Sequence, residues 1–275
     1  IKNYLPTMNR SEIFLVMVSG MGTIAGSVMG TYIGMLGGTD PASKVLFATH
    51  LLSASVMAVP GSIVLAKMLC PQTEEATDHV AISGKEKENS NILDAISSGT
   101  VTGVKLMTNI AAMLLVFISL VALANYITEG VIGRYTGLND WIVKITDGKA
   151  QGLTFQFILG VITSPFMWLI GVPSQDIMLV GSLLGQKTIL NEFVAYFQLQ
   201  QWKDAGLFMY EKSILMSTYI LCGFANISSI GILLGGLGVL APEKRGLISR
   251  IGVPAMIGGA LVSVLSATII GMILG

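Results

Sequence analysis

Long apolar runs separated by short polar stretches set the pattern of this chain. About 20 apolar residues cross the hydrocarbon core as a helix, and that length predicts the elements. The first run, Ile13 to Leu36, carries no charge, and the second, Val45 to Ala66, holds only His50 and is interrupted by Pro60. The third, Leu106 to Ile127, continues from a helical lead-in that begins near Ile92. The fourth, Gly152 to Val172, contains Pro165, and its periodicity is compatible with a full crossing or with a broken, partly interfacial helix. The fifth and sixth are Ile214 to Ala241 and Ile251 to Gly275. Between the second and third runs, Pro71 to Asn91 gathers Glu74, Glu75, Asp78, Lys85, Glu86, Lys87 and Glu88, which predicts a solvated loop. Glu129 to Gln151 reads as a polar connection, with Arg134, Asp140, Trp141 and Lys144.

One segment departs from the pattern. Asp176 to Gln201 begins with an apolar stretch, Ile177 to Gly185, too short to cross as a helix, and carries Lys187, Asn191 and Glu192 in its middle. A re-entrant helical hairpin fits, entering partway, turning between Gly185 and Glu192 and leaving on the same side. Such backbone is tolerated at depth only against protein or a water-filled cavity. An amphipathic surface helix is the alternative. Glu192 is the sharpest residue here, because a carboxylate at bilayer depth is costly and marks substrate or ion pathways. A salt bridge to Lys187, or exposure at the hairpin mouth, is the plainer account of it.

Composition supports the membrane class. Only 12% of the 275 residues are charged, about half the usual share of a soluble domain. The 32 glycines and 15 methionines suit close-packed membrane helices. The formal net charge is zero, with no basic stripe for nucleic acid. Cys70 and Cys222 are too few for a disulfide framework, and neither His50 nor His79 completes a metal pattern with them. His50, with Thr49 and Ser53 nearby, suits a hydrogen-bonded packing role better than a proton relay. The chain opens at Ile1 with no signal-peptide pattern, and a further N-terminal part is expected.

The first and fifth runs share an interruption. GMGTIAGSVMG (Gly20 to Gly30) aligns with GFANISSIGIL (Gly223 to Leu233), placing Thr23 on Asn226, Ile24 on Ile227, and Ala25-Gly26 on Ser228-Ser229. A proline-bearing turn follows each, at Pro41 or Pro242, and then a second long apolar run. Small and polar residues in mid-membrane weaken a helix and free backbone groups for an ion or polar ligand. A pair of such segments in corresponding halves points to a transporter site near the bilayer midplane. Gly26, Gly30 and Gly34, spaced by four, suit close helix packing instead. Asn226, with Ser228 and Ser229, favours a ligand-binding role, since a mid-membrane Asn needs a hydrogen-bond partner.

Three stretches then carry a family resemblance: SEIFLVMVSGMGTIAGSVMGTYIG (Ser11 to Gly34), GVPSQDIMLVGSLLGQKTILNEFVAYFQL (Gly171 to Leu199) and CGFANISSIGILLGGLGVLAPEKR (Cys222 to Arg245). The chain resembles the C-terminal two-thirds of the concentrative nucleoside transporters, and NEFVAY and GFANxSSIG are its most specific motifs. The resemblance implies an all-α membrane protein, an elevator-type helix bundle with inverted repeats, a re-entrant hairpin and two unwound helices. It implies a homotrimer in the plasma (inner) membrane, crossing the bilayer several times. Residues 1–70 would belong to the transport domain, 71–91 to a hydrophilic loop, 92–135 to a long scaffold helix, and 136–275 to interfacial helices and the rest of the transport domain. The implied activity is cation-coupled symport of a nucleoside such as uridine, with Na⁺ as coupling ion and H⁺ as the alternative. By motif match, Glu192 and Asn226 would hold the ribose hydroxyls with Ser229 beside them. Phe224 would pack near the nucleoside, Val28 would lie by the base, and Thr23 with the backbone of Ile24 would ligate sodium.

One departure limits the match. The family's first hairpin, which reads the base and completes the sodium site, precedes the first unwound helix and is absent from this sequence. PQTEEA (Pro71 to Ala76) looks like its motif but opens the charged loop after the second run, and is a decoy. The fragment is therefore expected not to transport by itself. Competing classes are an elevator-type transporter of another polar metabolite, a membrane-embedded enzyme and a purely structural subunit. An enzyme would show an acid–base pair or metal motif, and a structural subunit would not need Glu192 and Asn226 at depth.

Overall fold

The computed structural model describes residues 4–74, 91–146, 148 and 150–275, and all regular structure among them is helical. Most of the predicted charged loop, from Glu75 to Glu88 and including His79, lies outside the described residues. The first apolar run is two helices, α1 (Arg10–Gly22) and α2 (Gly26–Gly37), separated by extended backbone at Thr23 to Ala25. Asn9 caps α1 in a capping box with Glu12, so two otherwise orphaned amides are satisfied at its entry. The second run is α3 (Pro41–Leu69), started by Asp40, whose carboxylate accepts from the amides of Ala42 and Ser43.

The helical lead-in and the third run form one helix, α4 (Ile92–Asn125), which continues through a π-helical stretch, Tyr126–Gly133, into a single turn, α5 (Arg134–Thr136). The stretch expected as a polar connection is thus largely helical and includes α6 (Leu138–Ile145). Within it, Asn139 donates to the carbonyl of Glu129 and accepts from the amide of Leu153.

The fourth run is α7 (Phe155–Leu169), whose 15 residues extend about 22 Å at 1.5 Å per residue, short of the ~30 Å core. That length decides for the partial helix over the straight crossing. The hairpin follows as α8 (Ile177–Ile189) and α9 (Glu192–Asp204), with Leu190 and Asn191 at the turn. The arms pack on each other and α8 is buried along most of its length, which is the re-entrant geometry and not a surface helix.

The fifth run again divides in two, as α10 (Glu211–Leu221) and α11 (Ile227–Leu240), with Cys222 to Asn226 unwound between them. A 3₁₀ turn, Pro242–Lys244, leads into α12 (Arg245–Ile273). Among the described residues, three spans are long and apolar enough to cross a membrane: Arg10–Gly37 taken across its break, Pro41–Leu69, and Pro242–Ile273.

The two interruptions abut. Gly223 has φ +144°, and a Cβ there would stand 2.9 Å from the Gly22 carbonyl oxygen and 3.0 Å from that of Met21. Only glycine permits this approach, and it places the end of α1 against the unwound segment after α10. The α12 helix seals the same region, since a Cβ on Gly259 would meet Met21 at 2.7 Å. By contrast, a Cβ on Gly26, Gly30 or Gly34 would meet nothing within 4 Å. The close packing that their spacing suggested is therefore not found among the described residues.

By compactness the chain divides into two units: the described parts of Ile1–Val80 with Gln156–Gly275, and those of Ala81–Phe155. Both unwound segments and the hairpin belong to the first.

Candidate functional site

The NEF sequence at the hairpin turn distributes its roles residue by residue. Asn191 caps α9, its Oδ1 accepting from the amide of Val194 at 2.9 Å. That cap places Glu192 in the first turn of α9, where the positive end of the helix dipole favours a carboxylate. Glu192 is buried, at 7% exposure. Phe193 packs against the core beneath it, its ring 6.3 Å from that of Tyr32.

The GFANISS sequence does the matching work from the other side. Asn226 caps α11, and its Oδ1 accepts from the amide of Ser229 at 2.9 Å, the hydroxyl of Ser229 at 3.0 Å and the hydroxyl of Ser228 at 2.6 Å. With the carbonyl oxygen so committed, the amide nitrogen must face away from the helix. It donates to Glu192 Oε2 at 3.0 Å. The cap thus fixes which way the side-chain amide points, and with it the hydrogen-bond partner offered to the carboxylate.

Glu192 has a second partner that the sequence motifs do not identify. Tyr32, fully buried on α2, donates its hydroxyl to Glu192 Oε1 at 3.4 Å. Its ring stacks on Tyr196 of α9 at 4.1 Å between centroids, so α2 and the hairpin share one aromatic contact. The signal was present: a tyrosine amid glycines in an uncharged membrane run needs a partner for its hydroxyl. Lys187 does not pair with Glu192. Its ammonium donates to the carbonyl of Ile220 at 2.7 Å and to the hydroxyl of Ser263 at 2.9 Å.

The remaining candidates lie around this centre. Ile24 is buried in the same core cluster against which Val28, Phe193 and Phe224 pack, partly buried themselves. Thr23 donates its hydroxyl to the carbonyl of Ser19 at 2.9 Å, which leaves the oxygen's lone pairs for a cation. Thr23 and Ile24 lie outside both α1 and α2, so their carbonyls are not claimed by a helical ladder. Oxygen donors of this kind suit a hard cation. Among the described residues, no group of three or more His, Cys, Asp or Glu side chains could hold a metal ion. His50 makes the packing contact expected of it, with Nδ1 3.1 Å from the hydroxyl of Tyr219.

The arrangement is a buried carboxylate and an amide at the junction of a hairpin and an unwound helix, beside a second unwound helix with free backbone oxygens. Residues 50–271 match the family described as Na+ dependent nucleoside transporter C-terminus. The chain belongs to this nucleoside transporter family. It is 38% identical to an uncharacterized transporter of Haemophilus influenzae over 278 residues, covering all of this chain and 61% of that one. It is 36% identical to the nucleoside permease NupC of Helicobacter pylori, covering all of this chain and 60% of the relative. It is also 38% identical to sodium/nucleoside cotransporter 1 of Rattus norvegicus, across 99% of this chain and 41% of the relative. The chain therefore spans about three-fifths of its bacterial relatives.

Solved structures agree. CNTnw in an inward-facing substrate-bound state is 36% identical, with a TM-score of 0.81 over 98% of this chain and 59% of that one. A variant of CNTnw in an intermediate state gives a TM-score of 0.84 at the same identity. The family is one of all-α membrane transporters, and the helical hairpin and divided helices found here are its architecture in this chain.

Proposed function

We propose that this chain forms the nucleoside-binding part of a cation-coupled symporter, with Na⁺ as the coupling ion. The observation that carries the proposal is the Glu192–Asn226 pair, a carboxylate and an amide presented together in a buried site. A ribose offers adjacent hydroxyls, each both donor and acceptor. Glu192 accepts from them and Asn226 donates to them, with the hydroxyl of Ser229 alongside. A buried carboxylate also selects for a hydroxyl-bearing ligand, because leaving it unpaired is expensive. Phe224 packs against the nucleoside and Val28 against its base.

Sodium is bound, in this proposal, by the hydroxyl of Thr23 and the carbonyl of Ile24, together with ligands from the rest of the protein. Ordering the α1–α2 break then completes the nucleoside site, which couples the two ligands. The rat relative's name, sodium/nucleoside cotransporter 1, supports both the cargo and the ion. Transport proceeds by alternating access. Residues 1–70 and 136–275 carry the site as the transport domain, and 92–135 supply the scaffold. The intact protein is a homotrimer spanning the plasma (inner) membrane several times.

Uptake of labelled uridine by cells expressing the intact protein tests the reading, with a sodium gradient, a proton gradient or neither imposed. Uptake driven by sodium is the expected result. Uptake driven by protons alone would reassign the ion, and no uptake under any gradient would overturn the nucleoside reading.

A further inference from the structure

Lys187 lies in one of the stretches that carry the family resemblance but is assigned no role by it, yet its side chain is fully buried. An ammonium in such a place needs oxygen partners, and the ones it has are instructive. Its Nζ donates to the carbonyl of Ile220, in the last turn of α10, at 2.7 Å and to Ser263 Oγ of α12 at 2.9 Å. That hydroxyl in turn donates to the carbonyl of Cys222, the first residue past α10, at 3.0 Å. Helix C-termini leave their last carbonyls without amide partners and carry partial negative charge. Here α10 has no basic residue of its own in its last turn, and α8 supplies one from across the site. The other arm of the hairpin adds a neutral contact, since Tyr196 donates its hydroxyl to the carbonyl of Thr218 at 2.8 Å.

We propose that Lys187 is a tethered cation that holds the unwound end of α10, and so positions Asn226 against Glu192. Ile220 and Cys222 lie six and four residues before Asn226, and Lys187 lies five before Glu192, so one ammonium fixes both halves of the pair. The comparison with α1 sharpens the assignment. Its last turn is likewise without a basic residue, and the described side-chain bond there is the neutral one from Thr23 to Ser19. Among the described residues, the α10 break is therefore met by a lysine ammonium from α8, and the α1 break has no basic side chain in its last turn. This rests on the proposed function in one respect: a cation dependence of nucleoside binding then falls on the α1 break alone. Lys187 is a positioning residue and touches no ligand.

The test separates charge from packing in the purified intact protein. Hydrogen exchange of segment 218–229 is measured in the wild type, in Lys187→Met and in Lys187→Ala, the last with n-propylammonium or n-propanol added. Exchange in this segment should rise about tenfold or more in both variants. Propylammonium should restore protection in Lys187→Ala, and propanol should not. Uridine affinity should follow the same order, falling about tenfold and recovering with the ammonium only. Protection in Lys187→Met equal to wild type, or equal rescue by propanol, would overturn the proposal. Should both variants fail to fold, Ser263→Ala keeps the lysine and cuts its relay to Cys222. That variant should raise exchange severalfold, and unchanged exchange would overturn the proposal too. Exchange is independent of the cargo, so wild-type failure to bind uridine would count against the nucleoside reading and leave this assignment to be decided by exchange.

Discussion

Asn226 Nδ2 donates to Glu192 Oε2 at 3.0 Å, and this one bond joins the hairpin turn to the unwound segment between α10 and α11. Both residues sit at the start of a helix. Asn226 caps α11 and Glu192 opens α9, so each is oriented by backbone geometry before any ligand arrives. In the proposed function, these helix termini preorganise the site.

Replacing Asn226 with alanine removes both functions of its side chain. Loss of the cap costs about 1 kcal/mol of stability, and Glu192 loses its amide partner. We expect a thermal unfolding temperature a few degrees lower, and uridine binding weakened about tenfold or more. Calorimetric titration of the detergent-purified protein checks the binding, and a thermal scan checks the unfolding temperature.

Tyr32→Phe keeps the stack on Tyr196 but removes the hydroxyl bonded to Glu192. A single hydrogen bond has a net worth of about 1 kcal/mol, so uridine affinity should change only severalfold. Tyr32→Ala also empties a fully buried ring site, and should destabilise the fold by about 3–5 kcal/mol. Thermal stability of the two variants, measured side by side, separates the hydroxyl from the ring.

At Gly223 an alanine would press its Cβ on the carbonyls of Met21 and Gly22 at a φ of +144°. Strain of that kind costs about 1–3 kcal/mol. The expected outcome is a lower unfolding temperature, with uridine binding weakened as the two breaks are pushed apart. Wild-type stability in this variant would show that the breaks are not in close contact.

Asp176 sets the entry to the hairpin. It is fully buried, and its carboxylate accepts from the amides of Met209 at 3.0 Å and Tyr210 at 3.1 Å. These two bonds fasten the start of α8 to the chain just before α10. Asp176→Ala leaves the amides unpaired, and at about 1–3 kcal/mol for each should destabilise the protein severely. Expression yield and unfolding temperature report the effect.

Much of this was legible in the sequence, and the reasons are specific. Glycine and polar residues inside uncharged runs marked both divided helices, and their alignment brought Thr23 and Asn226 to the two interruptions. The hairpin was favoured by length, since Ile177 to Gly185 cannot cross the bilayer, and the burial of α8 then set aside the surface helix that the sequence had left as the alternative. Tyr32 was not found because motifs describe local order, whereas its bond to Glu192 spans 160 positions. The partners of Lys187 were hidden for the same reason: proximity along the chain suggested Glu192, but the fold supplied a carbonyl and a serine from distant helices. The polar connection after α4 proved largely helical, a continuation that the charged and polar residues in it did not signal.

The most direct test of the account is whether Glu192 reads ribose hydroxyls. Binding of uridine and of 2′,3′-dideoxyuridine would be compared in the intact wild-type protein and in Glu192→Gln. The account predicts that the wild type prefers uridine by about 100-fold or more, as a site built to bind hydroxyls rejects an analogue lacking them, and that Glu192→Gln loses most of that preference. Equal affinity of the wild type for the two ligands, or a preference undiminished in the variant, would contradict it.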